Sequence, residues 1–206
     1  HKDKALQPRL PHPESAMPSY APVSRDRHAG KGYLRSVGYG VAATEAVVPL
    51  VAAELPKAAI AMPIAFLGQE GGFRLVALLS LQPGRNLYVG PDGRWLGAYV
   101  PAALRGYPFA LVRQEATGQS ILCVDEGSGL VVDAGTPGAD PFFTEGDGPA
   151  AALRKVLDFL GQVEANRTAS ERAVAALAAA EVIIPWQLSV ETPAGQKNVA
   201  GLHRID

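Results

Sequence analysis

The chain has 206 residues, of which 48% are hydrophobic and 19% are charged, so it is long and apolar enough to bury a sizeable core. Its 19 basic residues nearly balance its 20 acidic ones, which argues against nucleic-acid binding through bulk charge and against a polybasic membrane anchor. The single cysteine, Cys123, excludes an internal disulfide and fits a reducing compartment.

The beginning of the chain has no pattern that predicts a helix or a packed sheet. Residues 1–16, HKDKALQPRLPHPESA, are polar and proline-rich, so we expect a tag or disordered arm there. Residues 17–40 predict an extended arm with one short strand. The start does not resemble a signal peptide, and no run of about 18 strongly apolar residues occurs. We therefore predict a cytoplasmic protein without membrane insertion.

The next part of the chain predicts a helical turn and two paired strands. Thr44 is a candidate cap for a short helix, which Pro49 and Pro56 restrict in length because proline lacks an amide donor. PIAFLG and FRLVALLSL predict two strands around the turn QEGG. The second strand has apolar residues on both faces, which is typical of a strand buried on both sides.

A tight turn and a helical turn follow. Residues 87–89 and 94–98 flank the sequence GPDG, in which Pro91 suits the first central position of a turn and Gly93 tolerates positive φ. This pattern predicts a hairpin. VPAALRGYP predicts one helical turn, with Pro101 near its start and Gly106 near its end.

The second half predicts a strand pair, a long connection, helices and two closing strands. FALVRQ and SILCVDE pair around EATG, and PFF tethers the glycine-rich connection. Asp147 is a candidate helix cap, and the capping-box sequence TASE allows either two helices or one bent helix. EVIIPWQLSV and KNVAGLHRID predict the closing strands. The fold class is therefore α+β: a single domain over residues 17–206, with a mostly antiparallel sheet and a C-terminal helical layer.

Signatures of common catalytic and metal sites are absent from the sequence. The histidines and the cysteine show no HxxH, HExxH or CxxC spacing, so we predict no dedicated metal site and no cofactor. A serine-hydrolase elbow and a phosphate-binding loop are also absent. Cys123 lies between apolar residues and is interpreted as a core residue, because a reactive thiol needs a nearby histidine or a positive field.

Asp125, Glu126 and Asp133 form a small acidic cluster that allows more than one interpretation. The first interpretation is a solvated strand end, the second is a carboxylate acid–base pair, and the third is a weak cation site.

Aromatic and arginine residues are concentrated after the predicted hairpin. Aromatic rings supply contact area with a polar group, and arginine supplies a fork of donors for carboxylate or phosphate. The other interpretation is an aromatic core with arginine heads in solvent. Trp186 and His203 join this region only if the closing strands converge on it. We name as the aromatic–Arg surface the candidate ligand-binding residues Arg94, Trp95, Tyr99, Arg105, Tyr107, Trp186 and His203.

Several ordered blocks give the chain a family resemblance. YAPVSRDRHAGKGY, NLYVGPDGRWLGAYVPAALRGYPFALV, LCVDEGSGL, FLGQVEANR, the PW at residues 185–186 and GLHRID resemble the bacterial SapC family over nearly all of residues 20–206. The family takes its name from a surface-layer locus, and the resemblance implies association with surface-layer or outer-membrane-receptor systems. It supplies no activity and no catalytic residues. A peptide-transporter permease shares the name but is unrelated.

Three functions remain open at this point. The first is a non-catalytic accessory or binding protein that recognises a peptide, a protein partner or a small anionic ligand through the aromatic–Arg surface. The second is a small enzyme or modification partner, with Asp125 or Glu126 as acid–base group and Arg94 or Arg105 orienting an anionic substrate. The third is a structural subunit, for which a homo-oligomer with a large apolar interface is expected.

Overall fold

A computed structural model describes residues 19–35, 38–114, 118–144, 146, 148–192 and 195–206. The chain divides into two compact units. Among the described residues, the first unit comprises Gly38–Arg105 and Ala165–Asp206, and the second comprises residues 19–35 and 106–164. The predicted arm over residues 1–16 and the predicted cap at Asp147 lie outside the described residues. The single domain over residues 17–206 stays a prediction.

The described residues form antiparallel sheets and helices, including one long C-terminal helix, which confirms the predicted α+β class. The helices are α1 (Arg25–His28), α2 (Leu55–Ala61), α3 (Ala102–Arg105) and α4 (Ala151–Ala179), with short 3-10 turns at Gly40–Ala42, Ala52–Glu54 and Glu126–Ser128. The strands are β1 (Tyr20–Pro22), β2 (Lys31–Tyr33), β3 (Val47–Pro49), β4 (Ile64–Gln69), β5 (Gly72–Leu78), β6 (Phe109–Arg113), β7 (Ser120–Asp125), β8 (Val131–Asp133), β9 (Asp140–Pro141), β10 (Ile183–Pro185), β11 (Leu188–Thr192), β12 (Gly195–Val199) and β13 (Leu202–Ile205).

The first unit is built on a five-stranded antiparallel sheet with the order β10-β13-β4-β5-β3. β4 and β5 form the hairpin that the sequence predicted. Side chains alternate between the two faces, and each face contributes to a separate buried cluster: Phe66 and Leu75 to one, Ala65 and Val76 to the other. Both faces are therefore covered, which explains the continuous apolar run of β5.

Different elements cover the two faces of this sheet. On one face, which we call the helix face, Ala58 and Met62 from the α2 region and Val174 from α4 complete the core. On the other, the ribbon face, the core includes Val199 from β12, with Leu188 from β11 packed against it. The sheet is thus the middle layer of the first unit.

The predicted helix cap at Thr44 is wrong, because the residues after it form edge strand β3. Val47 and Val48 are both buried and face opposite sides of the sheet, so β-branched side chains fill both cores. Pro49 is tolerated because β3 is at the sheet edge. The helix begins only at Leu55.

The predicted closing strands are both interrupted, and together they form a bent two-stranded ribbon. β10 pairs with β13 and β11 pairs with β12. Pro185 is opposite His203 and Leu188 is opposite Val199, so two residues on one side of the bend face three on the other. This is a β-bulge, and Gly201 within it has φ 84°, which a glycine adopts without the strain that a side chain would cause.

The second unit contains two three-stranded antiparallel sheets, ordered β1-β7-β6 and β8-β2-β9. The pairing of β6 with β7 was predicted. The extended arm predicted over residues 17–40 is wrong for residues 20–33, which form β1, α1 and β2. The long connection predicted after β7 contains the short strands β8 and β9. Phe142 within PFF is fully buried against Tyr33 and Phe109, which confirms the predicted tether.

The long helix α4 is continuous over 29 residues, so the sequence TASE does not begin a second helix. Ser170 of that sequence is instead a buried helical residue. Its hydroxyl donates to the carbonyl of Asn166 at 2.6 Å and accepts from the amide of Ala52 at 2.7 Å. No helix in the described part of the chain is both long and apolar enough to cross a membrane.

Candidate functional site

Four residues of the aromatic–Arg surface lie together in the first unit, between β5 and the end of α3. The GPDG turn is present: the amide of Gly90 donates to the carbonyl of Arg94, and the amide of Leu96 donates to that of Tyr88, both at 2.8 Å. One bridge joins Val89 with Trp95, so the predicted hairpin is a turn whose flanks are too short to be strands. The segment is thus a hydrogen-bonded turn and not part of a sheet.

Trp95 is the half-buried centre of an aromatic group. Its ring stacks on Tyr88 at 5.5 Å and meets Tyr39 edge to face at 5.6 Å. Its Nε1 donates to the carbonyl of Tyr99 at 2.7 Å, and the ring packs on the core of the helix face. A Cβ on Gly97 would lie 2.8 Å from a ring carbon of Tyr88 and 2.9 Å from the Trp95 Nε1, so this close approach requires glycine.

The buried carboxylate of Glu54 fastens the segment to the core. One oxygen, Oε1, accepts from the Tyr99 hydroxyl at 2.8 Å and from the Ala102 amide at 2.6 Å. The other, Oε2, accepts from the amide of Val51 at 3.0 Å, three residues earlier, which is half of a capping box. The Arg105 guanidinium lies 4.0 Å from Oε1. Burial, and then the hydrogen bond to Glu54, raise the pKa of Tyr99, so its hydroxyl remains a donor at neutral pH.

Large side chains project from this fixed segment into solvent. Leu87 and Leu96 are 55% and 64% exposed, and the Arg94 and Arg105 side chains are 78% and 42% exposed. Arg94 pairs with Asp92 at 2.5 Å, and its backbone amide and guanidinium hold the pKa of that carboxyl below its usual range. The segment therefore has two layers. The inner layer is Trp95 and Tyr99, and the outer layer is Leu87, Arg94, Leu96 and Arg105.

Tyr107 lies in the second unit, where it donates to the Asp125 carboxylate at 3.0 Å. Asp125 is buried and also accepts from the amides of Ser19 and Gly127. Burial, and then the hydrogen bond to Asp125, raise the pKa of Tyr107 to about 12. The interpretation of Asp125 as a solvated strand end is therefore wrong, because the carboxylate is a buried acceptor for three donors.

The other two carboxylates of the acidic cluster have cationic partners of their own. Glu126 accepts two hydrogen bonds from Arg27, which hold the pKa of that carboxyl below its usual range. The Nε2 atom of the buried His28 lies 3.3 Å from Glu126 but is not aligned for a hydrogen bond. Asp133 pairs with Lys31 at 2.7 Å. The acid–base hypothesis for these carboxylates stays a hypothesis.

No group of three or more His, Cys, Asp or Glu side chains within the described ranges is placed to hold a metal ion. Cys123 is buried, as predicted for a core residue, and burial raises the pKa of its thiol.

Trp186 and His203 lie at a cleft in the bend of the ribbon, which we call the bend cleft. Its volume is about 650 Å³, and it is lined by residues 185–189 and 198–203. Trp186 packs on the core of the ribbon face, whereas Trp95 and Tyr99 pack on the core of the helix face. Trp186 is therefore separated from the inner layer by the sheet. The structure brings together Arg94, Trp95, Tyr99 and Arg105. Trp186 and His203 both line the bend cleft, but the His203 ring contacts Phe73, which packs on the core of the helix face, so these two side chains lie on opposite faces of the sheet.

Sequence reasoning missed three residues of the site: Glu54, Leu87 and Leu96. Glu54 had a recognisable signal, because it is the one carboxylate between Ala46 and Gly68, and a charge inside an apolar run needs buried partners. Leu87 and Leu96 had no such signal, since their exposure depends on how the turn packs.

Comparisons with known proteins agree with the family resemblance. A family model described as SapC matches residues 23–206, which is nearly the whole chain. Comparisons with curated proteins and with solved structures found no match.

Proposed function

The chain belongs to the SapC family, and we propose that it is a non-catalytic binding protein that recognises a protein or peptide partner. The proposed binding surface is the outer layer of the segment between β5 and the end of α3, which consists of Leu87, Arg94, Leu96 and Arg105. The observation that carries the proposal is the contrast between the two layers. Trp95 and Tyr99 are fixed by packing and hydrogen bonds, while Leu87 and Leu96 on the same segment are more than half exposed. Exposed apolar side chains on a fixed loop are typical of an interaction surface.

The energetics of such a surface favour a macromolecular partner. Covering Leu87 and Leu96 would contribute about 1–2 kcal/mol for each side chain, and the segment would lose little conformational freedom because it is already ordered by Glu54 and Trp95. The guanidinium groups of Arg94 and Arg105 would meet carboxylates or backbone carbonyls of the partner at the rim.

The family resemblance directs the search for that partner. We take it to be a component of a surface-layer or outer-membrane-receptor system, with this protein acting in the cytoplasm. A small anionic ligand is a weaker candidate, because Arg94 is already paired with Asp92 and the adjoining exposed side chains are leucines.

The test compares a surface variant with a matched control. L87Q/L96Q removes both exposed leucines, and L177Q removes a leucine that is 36% exposed on α4, where glutamine is a good helix former. Immobilised wild type and both variants would be incubated with native lysate, and bound proteins quantified by mass spectrometry after melting curves confirm folding. We expect a protein that is enriched by wild type and L177Q and lost with L87Q/L96Q. Equal enrichment by all three proteins, or none by wild type, would contradict the proposal.

A further inference from the structure

The sheet β1-β7-β6 of the second unit carries a second candidate site, which does not depend on the proposed partner surface of the first unit. Leu122 and Val124 of β7 belong to the buried cluster of this unit, so their alternate neighbours are on the opposite side of the sheet, which we call the outward face. We propose that the outward face binds a lysine side chain of a partner protein, with the ammonium group beside Tyr20, Tyr107 and Asp125.

The strand register arranges the outward face in rows. In the first row, Tyr20 of β1 is directly opposite Asp125 at the end of β7. Two apolar rows follow along the strands, and their members are Pro22, Ala110, Cys123, Val112 and Ile121. Neighbouring rows are about 7 Å apart. The carboxylate of Asp125 therefore lies at one end of an apolar surface that is two rows long.

Asp125 is a buried carboxylate that has no cationic partner among the described residues. Its Oδ1 accepts hydrogen bonds from the amides of Ser19 and Gly127, and its Oδ2 accepts one from the Tyr107 hydroxyl. None of the ion pairs within the described ranges includes Asp125, whereas the neighbouring Glu126 has an arginine partner. Because a buried charge is screened less than a charge in water, a cation that came close to this carboxylate would be attracted strongly.

Two tyrosines frame this carboxylate. Tyr20 is on β1 and Tyr107 precedes β6, so they approach Asp125 from the strands on either side of β7. Burial, and then the charge of Asp125, raise the pKa of Tyr20, which agrees with a hydroxyl close to the carboxylate. Tyr20 is also 40% exposed, so a ligand can reach its ring. The negative face of an aromatic ring attracts an ammonium group, and here this attraction adds to that of the carboxylate.

The hydrogen bonds of the carboxylate favour lysine over arginine. An arginine guanidinium binds a carboxylate best through two parallel hydrogen bonds, one to each oxygen. Asp125 already accepts three hydrogen bonds, two of them at Oδ1, so it has no free pair of oxygens for this fork. An ammonium group is a compact charge that needs a single acceptor, and the hydroxyl oxygen of Tyr20 can also accept from it.

The open apolar rows favour a lysine that belongs to a partner protein over a free amine. The aliphatic stem of lysine packs on apolar surface while its charged end reaches a polar group. Pro22 is exposed and Val112 is 43% exposed, so a small amine would leave much of both rows in water. The residues next to the lysine in a bound protein segment would cover these rows.

The test follows backbone amide signals of 15N-labelled protein. The Gly127 amide reports on the site because it donates to Asp125, and the Ala102 amide, which donates to the Glu54 carboxylate in the first unit, is the matched control. The probes are acetyl-Val-Lys-Val-amide, the same peptide with norleucine in place of lysine, and butylammonium chloride. We expect the lysine peptide to shift the Gly127 signal saturably with Kd about 1 mM, at least about tenfold tighter than the other two probes, and to leave the Ala102 signal in place.

Three variants locate the binding, after melting curves confirm that each one folds. D125N removes the charge but keeps one acceptor oxygen, and it should weaken binding of the lysine peptide at least about tenfold. E126Q removes the charge of the adjacent carboxylate, which pairs with Arg27, and should bind like wild type. Y20L removes an exposed ring from edge strand β1 and should weaken binding about three- to fivefold. Y20L tests the site independently if D125N does not fold.

Several results would overturn the proposal. The first is the absence of any shift of the Gly127 signal with the lysine peptide. The second is equal affinity for the norleucine peptide, which would remove the role of the ammonium group, or for butylammonium, which would remove the role of the partner segment. The third is equal affinity of the lysine peptide for wild type and Y20L, or for D125N and E126Q.

Discussion

Substitution of Glu54 by glutamine tests how the aromatic–Arg surface is held on the fold. Glu54 is 6% exposed and accepts hydrogen bonds from Val51, Tyr99 and Ala102. Glutamine has nearly the same shape but carries one acceptor oxygen and an NH2 group. If the amide oxygen takes the position of Oε1, the NH2 group faces the Val51 amide, and two donors meet in a buried space.

The expected loss of stability follows from these contacts. Leaving the Val51 amide unsatisfied costs about 1–3 kcal/mol, and changing two charge-assisted hydrogen bonds into neutral ones costs about 1 kcal/mol each. The loss of attraction to Arg105 adds little, because that side chain is 42% exposed and lies 4.0 Å away. The E54Q variant should therefore be less stable by about 3–5 kcal/mol.

Urea denaturation followed by tryptophan fluorescence measures this loss, since both tryptophans belong to the first unit. Y99F is the control: it removes one donor to Glu54 and should cost about 1–2 kcal/mol. Hydrogen exchange at the Ala102 amide should quicken at least tenfold in E54Q, which corresponds to about 1.4 kcal/mol. A loss below about 1 kcal/mol for E54Q, with unchanged exchange at Ala102, would refute the role of this carboxylate.

Three further changes test the remaining contacts. Y107F removes one of the three donors to the buried Asp125 and should lower stability by about 1–3 kcal/mol in thermal denaturation; an unchanged melting temperature would contradict this. The pKa of Glu126 is lowered on folding by Arg27, so its contribution is complete above the ordinary value of 4.5 and is lost as pH falls through the folded pKa. Wild type should thus lose more stability than E126Q between about pH 6 and pH 3.5, and equal losses would argue against the pair. G201A forces a side chain into the left-handed region at φ 84° and should lower the free energy of unfolding, measured by urea denaturation, by about 1–2 kcal/mol. An unchanged free energy of unfolding would contradict the requirement for glycine at this position of the bulge.

The parts of the fold that could be predicted have local signals. The hairpin of β4 and β5 has long apolar runs around a glycine turn, and the pair β6 and β7 has the same pattern. The GPDG turn and the helical turn α3 were also correct, because proline and glycine restrict the backbone without help from tertiary contacts.

The parts that could not be predicted depend on distant partners. β2 has only three residues, and its pairing with β8 and β9 joins segments about a hundred residues apart, for which KGY and VVD carry no visible pattern. A glycine within a predicted strand, such as Gly201, indicates a bulge. The register of the strands at this bulge, however, follows from the pairing of β13 with β4.

The candidate site was partly predictable for a similar reason. The residue types of Arg94, Trp95, Tyr99 and Arg105 indicated a surface rich in aromatic and arginine side chains, and the structure brings these four together. The division into an inner and an outer layer required the packing of the turn on the core. Trp186 lies on the ribbon face because of the bend in the last ribbon, which periodicity does not reveal.

Site-specific photo-cross-linking tests the central proposal most directly. A benzophenone amino acid would replace Leu96, which is 64% exposed in the outer layer, or Leu177 on α4 as the matched position, in cells that express the protein. If the outer layer binds a partner, the benzophenone at position 96 gives one specific cross-linked protein, and the benzophenone at position 177 does not give that product. No product from position 96, or the same products from both positions, would contradict it.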